Sequence, residues 1–266
     1  MILIIIVNGS EIRDKLLNIY KKRIDANKYK LKLAIIYIGN DEASKIYIRS
    51  KKRICDLVNI ECDIYSYDSI DKNELVVLID RLNKDKDVTG IMVELPLPVG
   101  FDKNEIYELI DPSKDVDGLC KDSKVIPCTS LAVLEIFKYY DIDINKKIVL
   151  VGYSDLIGKP LDKYFKSKNI DVSMCNSKTN NLSDYTKNAD IIITAVGKRN
   201  LITEDMVKDN SIIIDCGIIK EDNKLYGDVD FDNVKNKCSL ITPVPNGVGP
   251  ITTIMVIHNL LLLNER

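Results

Sequence analysis

Short apolar runs separated by segments of helical length decide the fold class of this 266-residue chain before any motif is read. Residues 33–38, 90–95, 148–151, 191–195 and 211–215 are rich in β-branched side chains, the composition of strands buried on both faces of a sheet. Residues 3–7, 63–67 and 171–175 read as further strands. Between them the spacing predicts helices from Gly9-Ser10 to about residue 25, and over 42–58, 72–82, 131–140, 160–167 and 251–263. This alternation indicates βαβ units around parallel sheets. The polar, turn-rich stretch 111–127 interrupts it and marks a domain boundary, so a two-domain α/β protein is expected.

The 38 basic and 40 acidic residues are interspersed, which gives no electrostatic reason to expect nucleic acid or an anionic membrane as partner. Seven scattered cysteines without a C-x-x-C pair fit a reducing compartment and predict neither a disulfide framework nor a metal site. The apolar run 2–7 is too short for a signal peptide, and 251–263 is broken by Thr252, Thr253, His258 and Asn259, short of a membrane span. A soluble, cytoplasmic protein is expected.

Chemistry concentrates in a few places. Ile148 to Val151 runs into Gly152-Tyr153-Ser154 and, after Gly158 and Pro160, into helical spacing. Such a strand–turn–helix junction gathers free N–H groups and a helix dipole where a pyrophosphate can sit, although G-x-S-x-x-x-G-x-P also describes a tight turn with no ligand. In the helix 42–58, at about 100° per residue, Ala43, Tyr47, Ile54 and Val58 fall within about 60° of one another, and Lys51 lies about 20° beyond Val58. Lys51 is either a lysine snorkelling from the core edge or a proton carrier opening into a cleft. Arg49, Lys52 and Arg53 read as a solvated face. Glu94 closes a strand just before Pro96, at the carboxyl end where open α/β sheets bind ligands, or is simply solvated there. Asp115 and Asp117 in KDVDG either satisfy their own turn or face a ligand. The segment ITPVPNGVGP leads into a helix with Pro250 near its start, and the lone His258 reads as structural.

Tyr47-x-x-x-Lys51, GIMVELPLP, DPSKDVDGL, PCT, GYSDLIGKPL, DCGI, GDV and ITPVPNGVGPIT occur in one order along the chain. With them the chain resembles the bifunctional methylenetetrahydrofolate dehydrogenase/methenyltetrahydrofolate cyclohydrolase family over essentially its whole length. The resemblance implies an N-terminal α/β folate-binding domain (1–118 plus 250–266, the C-terminal helix returning to it) and a Rossmann-like NAD(P)-binding domain (119–249). It implies a homodimer, NADP on the second domain and folate between the domains, in one-carbon metabolism that feeds purine biosynthesis. By resemblance, Tyr47 stacks on the aminobenzoyl group, Lys51 handles protons in the cyclohydrolase step, and Asp117 holds the pterin ring. Leu95, Pro96, Gly249, Pro250 and Thr252 line the folate, while Gly152, Tyr153, Ser154 and Ile218 line the dinucleotide.

Some positions depart from the family's commonest pattern. Glu94 stands where a glutamine is usual, Ser130 where a proline is, and Asn246 where a glycine is. Tyr153 takes the place of an arginine that meets the 2′-phosphate in some members, leaving Ser177 and Lys178 to hold it and NAD as an alternative. Three functions follow: the bifunctional enzyme, a dehydrogenase whose cyclohydrolase is weakened by Glu94, or a non-catalytic dinucleotide- or folate-binding module.

Overall fold

The computed structural model describes residues 4–222 and 224–266, with the side chain of Ala43 left aside. Leu3, which the sequence assigns to the first strand, lies outside the described residues, as does the Ala43 side chain expected on the inward stripe. In chain order the elements are β1 (Ile5–Ile6), α1 (Gly9–Asn27), β2 (Lys32–Ile38), α2 (Glu42–Leu57), β3 (Glu61–Tyr67), α3 (Lys72–Lys84), β4 (Gly90–Val93) and α4 (Lys103–Tyr107). There follow α5 (Cys128–Tyr139), β5 (Ile148–Val151), α6 (Gly158–Ser167), β6 (Val172–Cys175), α7 (Leu182–Thr186), β7 (Ile191–Thr194) and β8 (Ser211–Asp215). The chain ends with β9 (Ile219–Glu221), β10 (Lys224–Tyr226), α8 (Phe231–Val234), β11 (Cys238–Ile241) and α9 (Val248–Asn264).

Two compact units result. One holds Asp14–Cys128 and Thr253–Arg266. Its sheet is parallel in the order β3-β2-β4, and β2 is buried from Leu33 to Ile38 and carries no charge beyond Lys32, because both of its faces are covered. Ala34, Ile36 and Ile38 of β2 join Ile91 and Val93 of β4 in a core against Leu75, Leu78, Ile79 and Leu82 of α3. Alternation therefore turns Met92 and Glu94 to the opposite face. Beyond β4, Ile91 bridges Asp115, with the Ile91 N–H donating to Lys114 O at 2.7 Å, so the KDVDG turn is fastened alongside the strand that ends at Glu94. The C-terminal helix returns to this unit as expected: Tyr20 of α1 and His258 of α9 share a 3.0 Å hydrogen bond, which is the structural role read for that histidine.

The other unit comprises the chain up to Arg13 together with Thr129–Thr252. Its six strands are parallel in the order β1-β11-β8-β7-β5-β6. From β5 the chain goes to β6 on one side and then to β7 and β8 on the other, which makes the carboxyl end of β5 a topological switch point. The boundaries depart from those expected: residues 119–128, read as part of the dinucleotide domain, belong to the first unit and 250–252 to the second, and β1, read as part of the folate domain, pairs with β11, Ile5 opposite Leu240 and Ile6 opposite Ile241. The β9–β10 hairpin, β11 and the short helices α4, α7 and α8 were not predicted. No helix among the described residues is long and apolar enough to cross a membrane.

Candidate active site

The side chain of Asp41 caps α2 by accepting from the Ser44 N–H at 2.7 Å, which sets the phase of the helix. Its buried residues are Ser44, Ile48, Ile54, Cys55 and Val58, an arc of about 120° that extends further round than the sequence stripe. Lys51 lies at the middle of that arc and not at its edge, so it does not snorkel. Its Nζ donates to Glu94 Oε2 at 2.5 Å, and the two side chains are only 11% and 9% exposed. Burial by itself would lower the Lys51 pKa, but the Glu94 and Asp117 carboxylates overcome it and hold the ammonium above its usual range. Tyr47, one turn before Lys51, is half-buried; burial raises its phenol, with Lys51 acting the other way.

The two aspartates of KDVDG divide the two readings between them. Asp115 is fully buried and satisfies the turn, accepting from the Gly118 N–H at 3.0 Å and the Cys120 N–H at 2.9 Å. Gly118 adopts φ +73°, and a Cβ there would lie 2.8 Å from the Ile126 carbonyl carbon, so the turn closes against residues 125–127. Asp117 accepts no hydrogen bond among the described residues. Burial pushes its carboxyl up to about 7, partly offset by Lys51 and reinforced by Glu94. Lys51, Glu94, Asp117 and Tyr47 are thus within electrostatic reach of one another in a single unit. Leu95 and Pro96 continue from Glu94 and remain partly or fully accessible. Two neighbours escaped sequence reasoning. Burial and then the Asp117 charge hold the Cys128 thiol well above its usual pKa, and Tyr107 has a buried hydroxyl with no hydrogen-bond partner among the described residues. PCT marked Cys128 as a motif residue without a role, and nothing in the local pattern marks Tyr107.

In the other unit Gly152, Tyr153 and Ser154 lie at the switch point after β5, Ser177 and Lys178 follow the neighbouring β6, and Ile218 follows β8, two strands away from β5. Gly152 adopts φ +109°, and a Cβ on Gly158 would lie 2.2 Å from the Gly152 carbonyl oxygen, so only glycine lets the turn fold back onto the start of α6. Ser154 Oγ accepts from the Ile157 N–H at 3.2 Å, and buried Ser130 donates from its hydroxyl to Leu156 O at 2.8 Å, a tie that proline could not supply. Tyr153 and Ile218 are exposed at their strand ends, and Ser177 and Lys178 follow β6 in a turn in which the Lys178 N–H donates to Asn176 Oδ1 at 2.8 Å. Two buried carboxylates from DCGI and GDV brace the neighbouring loops. Asp228 accepts the N–H groups of Val196, Gly197 and Lys198, and Asp215 those of Gly217, Asp228 and Val229. A glycine turn at the switch point, with a serine and a lysine after the adjacent strand, fits a dinucleotide carrying a ribose phosphate. Gly249, Pro250 and Thr252 form the first turn of α9, where the Thr252 hydroxyl donates to Val248 O at 3.3 Å.

Asn246, expected to disturb its turn, adopts φ +75° without difficulty, as asparagine can, and its Oδ1 accepts from the Ser10 N–H and hydroxyl.

Two family models match the chain. The catalytic domain of tetrahydrofolate dehydrogenase/cyclohydrolase matches residues 7–117 and the NAD(P)-binding domain residues 127–266. Bifunctional protein FolD of Caldanaerobacter subterraneus is 40% identical over 266 residues, spanning 96% of this chain and 95% of that protein. FolD of Methanosarcina mazei is 43% identical over 246 residues, 88% of this chain and 85% of its own. The crystal structure of the bifunctional enzyme from Campylobacter jejuni superposes with a TM-score of 0.94 at 37% identity, covering 99% of both chains. The Trypanosoma brucei enzyme complexed with NADP and an inhibitor superposes at 0.93 with 26% identity, covering 99% of this chain and 98% of its own. Matches over both halves, together with relatives 40–43% identical over 88–96% of the chain, place it in the tetrahydrofolate dehydrogenase/cyclohydrolase family.

Proposed function

We propose that this protein oxidises 5,10-methylenetetrahydrofolate to 5,10-methenyltetrahydrofolate with NADP and hydrolyses the product to 10-formyltetrahydrofolate. The observation that carries the reading is Lys51, a lysine in the middle of an apolar helix face, paired with Glu94 and beside Asp117. Such a group is costly to bury and is kept where protons must move. The relatives named as bifunctional favour the two-step reading over the monofunctional and non-catalytic alternatives, and the Lys51–Glu94 pair bears on the rate of the hydrolytic step.

Gly152, Tyr153 and Ser154 would hold the dinucleotide at the switch point, with Ile218 lining it and Ser177 and Lys178 meeting the ribose phosphate. NADP held there would supply the acceptor for a hydride from the methylene bridge. Tyr47 stacks on the aminobenzoyl group, Asp117 accepts from the pterin N–H groups, and Leu95, Pro96, Gly249, Pro250 and Thr252 contact the folate. Oxidation itself needs positioning more than an acid or base, since the methenyl cation is stabilised by its two nitrogens. Hydrolysis requires proton transfers at the attacking water and at N5. Lys51 serves those transfers, and at rest the 2.5 Å contact with Glu94 Oε2 holds it as an ammonium that must give up its proton before it can act as the base. The protein works as a cytoplasmic homodimer, and light scattering at about twice the 30.1 kDa chain mass tests the dimer.

Mixing the protein with methylenetetrahydrofolate and NADP or NAD, and following the methenyl and nicotinamide absorbances, reports both steps. Nicotinamide reduction followed by decay of the methenyl signal is expected. No turnover with either dinucleotide would reject the reading.

A further inference from the structure

We propose that Asn259 is a positioning residue for Asp117, and through it for folate binding; the inference rests on Asp117 being the pterin acceptor. Asn259 lies in α9, fully buried. Its Nδ2 donates to Val116 O at 2.9 Å and to Ile126 O at 2.9 Å, and lies 3.6 Å from Cys128 Sγ. Both amide hydrogens are thereby committed to carbonyls of two separate segments. One carbonyl belongs to the residue just before Asp117, and the other lies two residues before Cys128, whose own thiol reaches Val116 O at 3.7 Å.

The cost of this arrangement indicates its purpose. Asn259 Oδ1 is buried and accepts no hydrogen bond among the described residues, so for packing alone an apolar side chain of similar volume would serve better. What the amide adds is the forked donor, which no aliphatic, acidic or hydroxyl side chain of that reach provides. The Asp117 carboxylate accepts no hydrogen bond of its own among the described residues. Its direction is set by its backbone neighbours, Val116 held by Asn259 and Gly118 held by Asp115. Without the fork, the Val116 carbonyl is left to the weak thiol contact and Asp117 loses one of its two supports.

Asn259→Leu is expected to raise the KM for methylenetetrahydrofolate by roughly tenfold while moving the KM for NADP less than about twofold. Asn259→Gln, which retains the donors, is expected to recover part of the loss. The double variant Asn259→Leu/Asp117→Asn should bind folate no more weakly than Asp117→Asn alone, because one residue acts through the other. A residue that only stabilises the fold would give additive losses, or would raise both KM values together; either result, or an unchanged folate KM, overturns the proposal. If the leucine variant does not fold, Asn259→Ser, which is smaller and too short to reach either carbonyl, carries the same measurements. Asp117→Asn separates the two ideas. An unchanged folate KM in that variant overturns the reading of Asp117 and the inference with it, whereas an effect there with none at Asn259 overturns the inference alone.

Discussion

Lys51 and Glu94 are each about nine-tenths buried, and replacing either one exposes the other to the cost of burial without a partner. Lys51→Met is expected to abolish methenyl hydrolysis and also to lower stability by about 3–5 kcal/mol, because an unpaired carboxylate remains. Lys51→Met/Glu94→Gln should regain much of that loss in urea denaturation while staying inactive in hydrolysis. Glu94→Gln alone removes the nearer of the two carboxylates that hold the lysine charged, which lets burial lower its pKa. Hydrolysis at about pH 7 is then expected to rise, since each unit of pKa is worth about 1.4 kcal/mol, with hydride transfer little changed. Parallel loss of both activities would mean that Glu94 is itself part of the working machinery. Asp117 has its own signature. With its carboxyl at about 7 it is mostly protonated at lower pH and a poorer acceptor for the pterin, so the folate KM should fall as pH rises. Initial rates between about pH 6 and pH 8 should show a drop of up to roughly tenfold, and Asp117→Asn should flatten it. These residues are legible in the sequence because each breaks a local rule: a lysine on an apolar stripe, a carboxylate at a strand end, an acidic turn. Asn259 and Ser130 break none. Their partners are backbone carbonyls far along the chain, and no spacing within one segment reports a carbonyl.

At the level of elements, the long buried strands and the amphipathic helices are the parts that periodicity finds, and β2, β5, β8 and α2 lie within a residue or so of their expected bounds. The misses are short or exposed. β9 and β10 are three residues each and largely solvated, and β11 is four residues with a polar start, too little for a period to emerge. The turn after β6 is short as well, and its position beside the switch point is the ground for proposing it as the selector of the ribose substituent. NADP is expected to be preferred over NAD, and Lys178→Ala to lower kcat/KM for NADP by roughly tenfold while leaving NAD nearly unchanged. The preference should shrink with added salt, as for an exposed phosphate contact. Equal use of both dinucleotides by the unaltered protein would remove Lys178 from that role.

On the scale of the whole molecule, neither unit is built from one continuous stretch of chain. The start of the chain supplies β1 to the six-stranded sheet, and its end returns α9 to the three-stranded one. Val7 is buried beside β1 and its N–H donates to Ile241 O at 2.9 Å. Removing the first seven residues is therefore expected to cost about 2–3 kcal/mol from Val7 and the lost pairing, read as a lower urea midpoint. A midpoint that does not move would show β1 to be dispensable. The β1–β11 pairing also carries a timetable. A ribosome adding about 5–20 residues per second finishes β1 on the order of tens of seconds before β11 exists. For that interval the nascent chain carries an isoleucine-rich end with nowhere to dock, and the last strand made is the one that receives the first.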